Sequence, residues 1–423
     1  MRKLLFLIAL LSVATADKWA LFVSAYSGYS NYCITSTVCR GYDIIHDAGI
    51  PEDHVVYMGF TNVFEHKDNP FPGKIFTDIS EGPGVDYAPG CRYHMDYTDK
   101  QVSAELFMAT LSGDKAEVTK LTGVENPRVI ESTSEDTIFV YYMDHGAPGF
   151  CQVGSSMLSK SFLMETITKM FNNKQYSKLV FYFEACFSGS MFTDLPSGMN
   201  VYAMTGADDE HEAMECNCPP NDVVDGKHMG TCLSAFFDHH WMTEVTNNGA
   251  DLTLNKMHKI VHDNTAVYSE QNISKFGDVD TIGETPLSDY IGNYKPTYSP
   301  KFTQCTDPNN YEDVPALLAK WAAIRAEDNT ESVMEDYKRI VMQEAYKDIV
   351  VMRAAREYFK DDMKADAAKT TTPASYDKEC VNDLAFTFVA KCDYTLPMRM
   401  EHVKIMKNIC ANGPVHIDFE NVC

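Results

Sequence analysis

Apolar residues gather in short blocks that end on turn signals, and helical spacing fills the stretches between them. The most marked block is Leu179-Val180-Phe181-Tyr182-Phe183, which breaks off at Glu184-Ala185-Cys186 and the turn Ser188-Gly189-Ser190. A continuous apolar run bounded in this way predicts a strand buried on both faces of a parallel sheet. Residues 19–24, 54–58, 137–143 and 199–204 read the same way. A helix is predicted through Val38, Tyr42, Ile44 and Ile45, ending near Gly49-Ile50-Pro51, and others over 101–111, 157–171, 232–242 and 252–262. Strands alternating with helices call for an α/β fold, a parallel-rich sheet sandwiched by helices. Residues 61–98, rich in Pro, Gly and Asp, predict a long surface loop of the kind that shapes a cleft. Past a linker at Pro296-Thr297-Tyr298-Ser299-Pro300, residues 314–359 predict two helices and 361–376 a polar connection. Residues 377–423 carry four cysteines among further helical patterns, and no internal repeat is visible.

Composition adds a compartment to this outline. At 423 residues the chain has room for a full core and a second domain. It carries 36 basic against 60 acidic residues, a net charge of −24. That balance argues against nucleic acid or an anionic membrane surface as partner, and suits work at low pH, where protonation relieves carboxylate repulsion. Met1-Arg2-Lys3, the apolar run from Leu4 to Leu11 and Ala14-Thr15-Ala16 form a secretory signal pattern, with cleavage expected before Asp17. No later stretch is long and apolar enough to predict a membrane span. Thirteen cysteines in an oxidising compartment imply disulfides, and the odd number leaves at least one thiol over. Spacing suggests that Cys216 pairs with Cys232, and Asn272-Ile273-Ser274 is a glycosylation sequon.

Two predicted strands end on chemistry. Tyr142-Met143 runs into Asp144-His145-Gly146, and Phe183 into Glu184-Ala185-Cys186. A right-handed βαβ unit places two such strand ends near each other, at the carboxyl edge where open α/β sheets bind ligands. A thiol beside an imidazole gives a thiolate–imidazolium pair that attacks carbonyl carbon. The N–H groups of Gly146 and Cys186 are candidate oxyanion donors. Glu184, two positions before Cys186, points to the same side of its strand and offers an acceptor to a substrate amide. A zinc site is disfavoured, because Cys216-x-Cys218 lacks the usual ligand gap.

Tyr142-Met143-Asp144-His145-Gly146 and Phe183-Glu184-Ala185-Cys186-Phe187-Ser188-Gly189-Ser190-Met191 closely resemble the two catalytic blocks of the legumains, the asparaginyl endopeptidases. Gly49-Ile50-Pro51, Asp68-Asn69-Pro70-x-Pro72-Gly73 and Leu111-x-Gly113-Asp114 also look like legumain segments. The resemblance implies a caspase-like fold over 17–300, with Cys186 as nucleophile, His145 as its partner and Asn31 supporting the histidine. It makes Asp144 the aspartate that can cyclise to a succinimide and is linked to ligation, and Glu184 a wall of the S1 pocket. The pocket departs from the family elsewhere. Cys33-Ile34 stands where legumains have Arg-His, Thr231 where a second acid is expected, and Glu212-Ala213 near the expected pocket serines.

The C-terminal region resembles the legumain inhibitory prodomain, an all-α unit expected over 330–423 beyond an activation segment at 301–329. The resemblance implies the pairs Cys380–Cys410 and Cys392–Cys423, and an activation cut near Asn329. The expectation is therefore a secreted or lysosome-like zymogen that acts on proteins and peptides, needs no cofactor, and is held in check by its own prodomain. The catalytic subunit of a GPI transamidase and an inert peptide-binding homologue are the rival readings.

Overall fold

The structure, a computed structural model, describes residues 16–296, 301–311, 313–325, 331–411 and 413–423. The signal pattern at 1–15, most of the linker at 297–300 and Asn329 lie outside the described residues.

Seven strands form the central sheet: β1 (Lys18–Ser24), β2 (Val55–Gly59), β3 (Tyr97–Thr98), β4 (Thr137–Met143), β5 (Lys178–Glu184), β6 (Val201–Thr205) and β7 (Ser274–Gly277). Their spatial order is β7-β6-β5-β4-β1-β2-β3. Every pairing is parallel except that of β7 with β6. The five strands that the apolar blocks predict are the five innermost ones. The two edge strands escape that reading because they are short and only partly buried.

Helices cover both faces of the sheet. On one face α1 (Tyr32–Asp47), α3 (Phe236–Asn248) and α4 (Leu254–Thr265) pack Val38, Trp241 and Met257 against Phe22, Phe139, Tyr141 and Tyr182. On the other, α2 (Lys160–Asn172) and the Ala104–Leu111 helix pack Leu163, Ile167 and Phe107 against Val140, Tyr142 and Phe181. Each fully buried aromatic or aliphatic side chain here stabilises the fold by roughly 1.5–3 kcal/mol.

Several boundaries shift for local reasons. The helix expected from residue 101 begins at Ala104, because Ser103 caps it by accepting from the Leu106 N–H at 3.1 Å. The helix expected from residue 157 begins only at Lys160, because Ser156–Ser159 form a strand, and α2 starts after it under a Ser159 cap. The 61–98 segment is not all surface, since Ile75, Phe76, Thr77 and Asp78 are buried and the Tyr32 hydroxyl holds the Phe76 N–H. The 361–376 connection contains a helix, Asp362–Ala367, capped by Asp361.

Cys216 joins Cys305 and Cys218 joins Cys232, which replaces the Cys216–Cys232 pair suggested by spacing. Cys39 joins Cys91, and Cys33, Cys151 and Cys186 remain thiols. The C-terminal region is helical, with α5 (Glu331–Phe359), α6 (Lys378–Lys391) and α7 (Met400–Cys410), and is stapled by Cys380–Cys410 and Cys392–Cys423. Among the described residues no helix is long and apolar enough to cross a membrane.

Candidate active site

β4 and β5 run in register, Met143 opposite Glu184, and the Asp144 N–H donates to the Glu184 carbonyl at 3.1 Å. The two chemical blocks therefore leave the sheet side by side. Gly146 is the residue that permits their approach. A Cβ on it would lie 2.2 Å from the Cys186 carbonyl oxygen, closer than any side chain can come.

The tautomer of His145 follows from its neighbours. The Asn31 side-chain NH2 donates to the Ser27 carbonyl at 3.0 Å, so its amide oxygen faces the ring, 2.7 Å from Nε2. An amide oxygen only accepts, so Nε2 carries the proton and Nδ1 keeps a lone pair. Nδ1 has no partner among the described residues. The rings of Tyr26 and Tyr311 stand edge-on to the imidazole, with centroids 5.4 and 5.5 Å away. Cys186 is buried, its Sγ 3.9 Å from the Ala213 carbonyl. Burial first, and the ammonium of Lys347 second, bring the His145 pKa down to about 3. In the intact chain burial therefore favours the neutral imidazole.

Asp144 is buried as well. One carboxyl oxygen accepts from the His145 N–H at 2.6 Å, and burial pushes its pKa well above the usual range.

Next to these groups lies a set of acids that the sequence disclosed only in part. Glu184 is fully buried, and among the described residues neither carboxyl oxygen meets a donor in hydrogen-bonding geometry. Burial raises its pKa strongly and Asp238 adds to the shift, while the nearby Gln271 amide opposes it. Burial also lifts Glu215 to about 8 and Asp238 to about 7. The Cys33 thiol donates to Glu215 at 3.3 Å, and the Tyr141 hydroxyl donates to Asp238. Tyr311 reaches the same place, its hydroxyl without a partner among the described residues and its pKa raised by burial, then by Cys33, Glu184, Glu215 and Asp238.

The Thr231 hydroxyl donates to the Tyr29 carbonyl at 2.8 Å. Glu212 is buried beside Ala213. Glu215, Asp238 and Tyr311 were missed. Strand alternation from Ala213 would have found Glu215; nothing local marks the other two.

The C-terminal helices sit on this face. Glu210 accepts from Lys407 at 2.6 Å and from the Tyr376 hydroxyl, Asp209 pairs with Lys378, and Lys160 with Glu379 at 2.5 Å. Phe386 stands edge-on to Phe150, with centroids 5.6 Å apart. A Cβ on Gly149 would lie 2.5 Å from Asn382, so this contact too depends on a glycine.

A neutral base oriented by an amide, a thiol at the neighbouring strand end and a buried acid cluster together suit acyl transfer. A model of the peptidase C13 family matches residues 18–293. Human legumain is 29% identical over 420 residues, covering 96% of this chain and 92% of legumain. The hemoglobinase of Schistosoma mansoni is 28% identical over 424 residues, covering 95% and 90%. The vacuolar-processing enzyme delta-isozyme of Arabidopsis thaliana is 27% identical over 420 residues, covering 95% and 88%. Among solved structures, caspase-1 from Spodoptera frugiperda aligns with 62% of this chain and 87% of its own, at 8% identity and a TM-score of 0.34. The match to the family model spans well over half of the chain and contains both strand-end blocks, so this chain belongs to the peptidase C13 family of cysteine-type endopeptidases.

Proposed function

We propose that the chain is the zymogen of a secretory-pathway endopeptidase, delivered to an acidic lysosome-like compartment, the cell surface or the exterior. Its peptidase domain spans 17–300, its activation segment 301–329 and its inhibitory prodomain 330–423. The reading rests above all on the orientation of His145 by Asn31, which leaves Nδ1 as the base.

Once the C-terminal helices leave, Nδ1 takes the Cys186 proton and Sγ attacks the substrate carbonyl carbon. The N–H groups of Gly146 and Cys186 hold the oxyanion. His145 returns the proton to the leaving amine, and water hydrolyses the thioester through the same base. An incoming amine resolves it instead as ligation, to which the resemblance links Asp144. The contacts of Lys407, Lys378 and Glu379 with the peptidase face support prodomain inhibition, with release by a cut near Asn329. The resemblance suggests Asn at P1, or Asp at low pH. Glu184 supports it as an acceptor, while Cys33 replaces the guanidinium donor that an Asn carbonyl needs.

The test is full-length protein held at mildly acidic pH. Wild type sheds its C-terminal helices and degrades an unfolded protein substrate, and Cys186→Ala does neither. Equal activity of the two proteins would overturn the reading.

A further inference from the structure

Among the described residues, no cation pairs with the acid cluster beside Cys186. Glu184, Glu215 and Asp238 are all buried, and both oxygens of Glu184, Oε2 of Glu215 and Oδ2 of Asp238 have no hydrogen-bond partner among the described residues. The nearby guanidinium of Arg40 is committed to Asp78. Gly206 makes room for the cluster, since a Cβ there would lie 1.3 Å from a Glu184 oxygen. Buried acids held without a partner destabilise a fold, so the arrangement calls for a ligand that satisfies them.

The position fits a substrate side chain. Glu184 lies two residues before the nucleophile, and Glu215 two residues after Ala213, whose carbonyl is next to the thiol. The chain already lays one of its own segments there. Asn309–Asn310 pair antiparallel with Met214–Glu215, Cys305 is tied to Cys216, and Tyr311 then turns in against His145 and the acids. This is strand addition at an exposed edge, the way an extended peptide docks. Tyr311 brings a neutral phenol whose hydroxyl bonds to nothing described, so it fills the hole without satisfying it.

We propose that this pocket, walled by Glu184, Glu215 and Asp238, takes a cationic P1 side chain, lysine or arginine, and that Tyr311 occupies it in the intact chain. The proposal rests on the peptidase reading and revises only its P1 residue. An ammonium or guanidinium brings three or five donors and a charge, and turns each acid into a charge-assisted partner. An asparagine brings two donors and a carbonyl, which finds no guanidinium here.

The test uses full-length protein with a specific protease site substituted at residues 326–330, nicked so that both pieces stay in solution. Acyloxymethyl ketone peptides differing only at P1 (Arg, Lys, Asn, Asp) are followed by mass spectrometry for covalent capture at Cys186. Arg and Lys probes react about 10-fold or more faster than Asn, and Tyr311→Ala speeds them further. Glu215→Gln slows the Arg probe about 10-fold more than it slows the Asn probe. As a check that needs no variant in the pocket, phenylguanidine slows iodoacetamide alkylation of Cys186, whereas acetamide does not. Faster capture of the Asn or Asp probe overturns the proposal alone. No capture by any probe overturns the assignment of Cys186 as nucleophile, and the proposal with it.

Discussion

Two buried carboxylate clusters flank α1, and they are built on opposite principles. Around Asp78 every charge is answered: Arg40 pairs with one oxygen, and His239 approaches the other at 2.6 Å. Burial raises the Asp78 pKa, but contacts with His239 and Arg40 outweigh it, and the pKa lies below its ordinary value. Glu184, Glu215 and Asp238 form no ion pair among the described residues, and all three are pushed up by burial, which the more distant Arg40 only partly offsets at Asp238. The contrast separates an acid that holds the fold together from acids kept ready for something that arrives later. The same protein manages both, so the missing cation in the second cluster is a feature of that site and not of the whole chain.

The largest expected effect comes from breaking the answered cluster. Asp78→Asn leaves Arg40 buried without its counter-charge, a loss of about 3–5 kcal/mol in urea unfolding. Glu215→Gln does the opposite, leaving stability unchanged or raised by about 1 kcal/mol, because it removes a buried acid that folding penalises. Equal losses for the two variants would erase the distinction.

Their pH dependences also differ in sign. Asp78 has a depressed pKa, so its contribution is present above its unfolded value and fades as pH falls through the folded one. Glu215 and Asp238 have raised pKa values, so their folded forms hold protons that the unfolded chain has released. Stability therefore declines as pH rises from the ordinary carboxylate range through about 7 to 8, by a few kcal/mol in total. Melting temperature against pH should show this decline, and Glu215→Gln should flatten it.

A smaller effect is expected where the C-terminal helices meet the peptidase face. Glu210 has a depressed pKa that Lys407, Tyr376 and Lys378 maintain against burial, so its hold on the C-terminal helices weakens as pH falls through the folded value. Glu210→Gln should release them at a higher pH, a change of about 1 kcal/mol measured by size exclusion after nicking. At the proposed catalytic groups, Asn31→Ala should lower kcat by about 100-fold with little change in KM and shift the acid limb of the pH profile, because it frees the ring that Asn31 orients.

These contrasts also mark how far the sequence could be read. The ends of β4 and β5 were legible because aromatic strands stop abruptly at Asp144-His145-Gly146 and Glu184-Ala185-Cys186, and period-two alternation placed Glu184 with the thiol. Glu215 was not, because its strand is three residues long and takes its pairing from Ser234–Ala235 and Asn309–Asn310. Asp238 lies on a helix whose facing residues come from β4, and Tyr311 comes from a segment read as linker. The Lys115–Thr122 helix was missed because it is short, polar and marked only by its Asp114 cap. Cysteine spacing could not foresee Cys216–Cys305, which depends on that same segment folding back.

The central claim is that the pocket beside Cys186 holds buried acids with no cation of their own. Infrared difference spectra of the full-length protein, titrated between mildly acidic and alkaline pH, test it most directly. The account predicts a protonated-carboxyl band that persists at neutral pH and weakens in Glu215→Gln. A neutral-pH spectrum without that band, identical in wild type and Glu215→Gln, would contradict it.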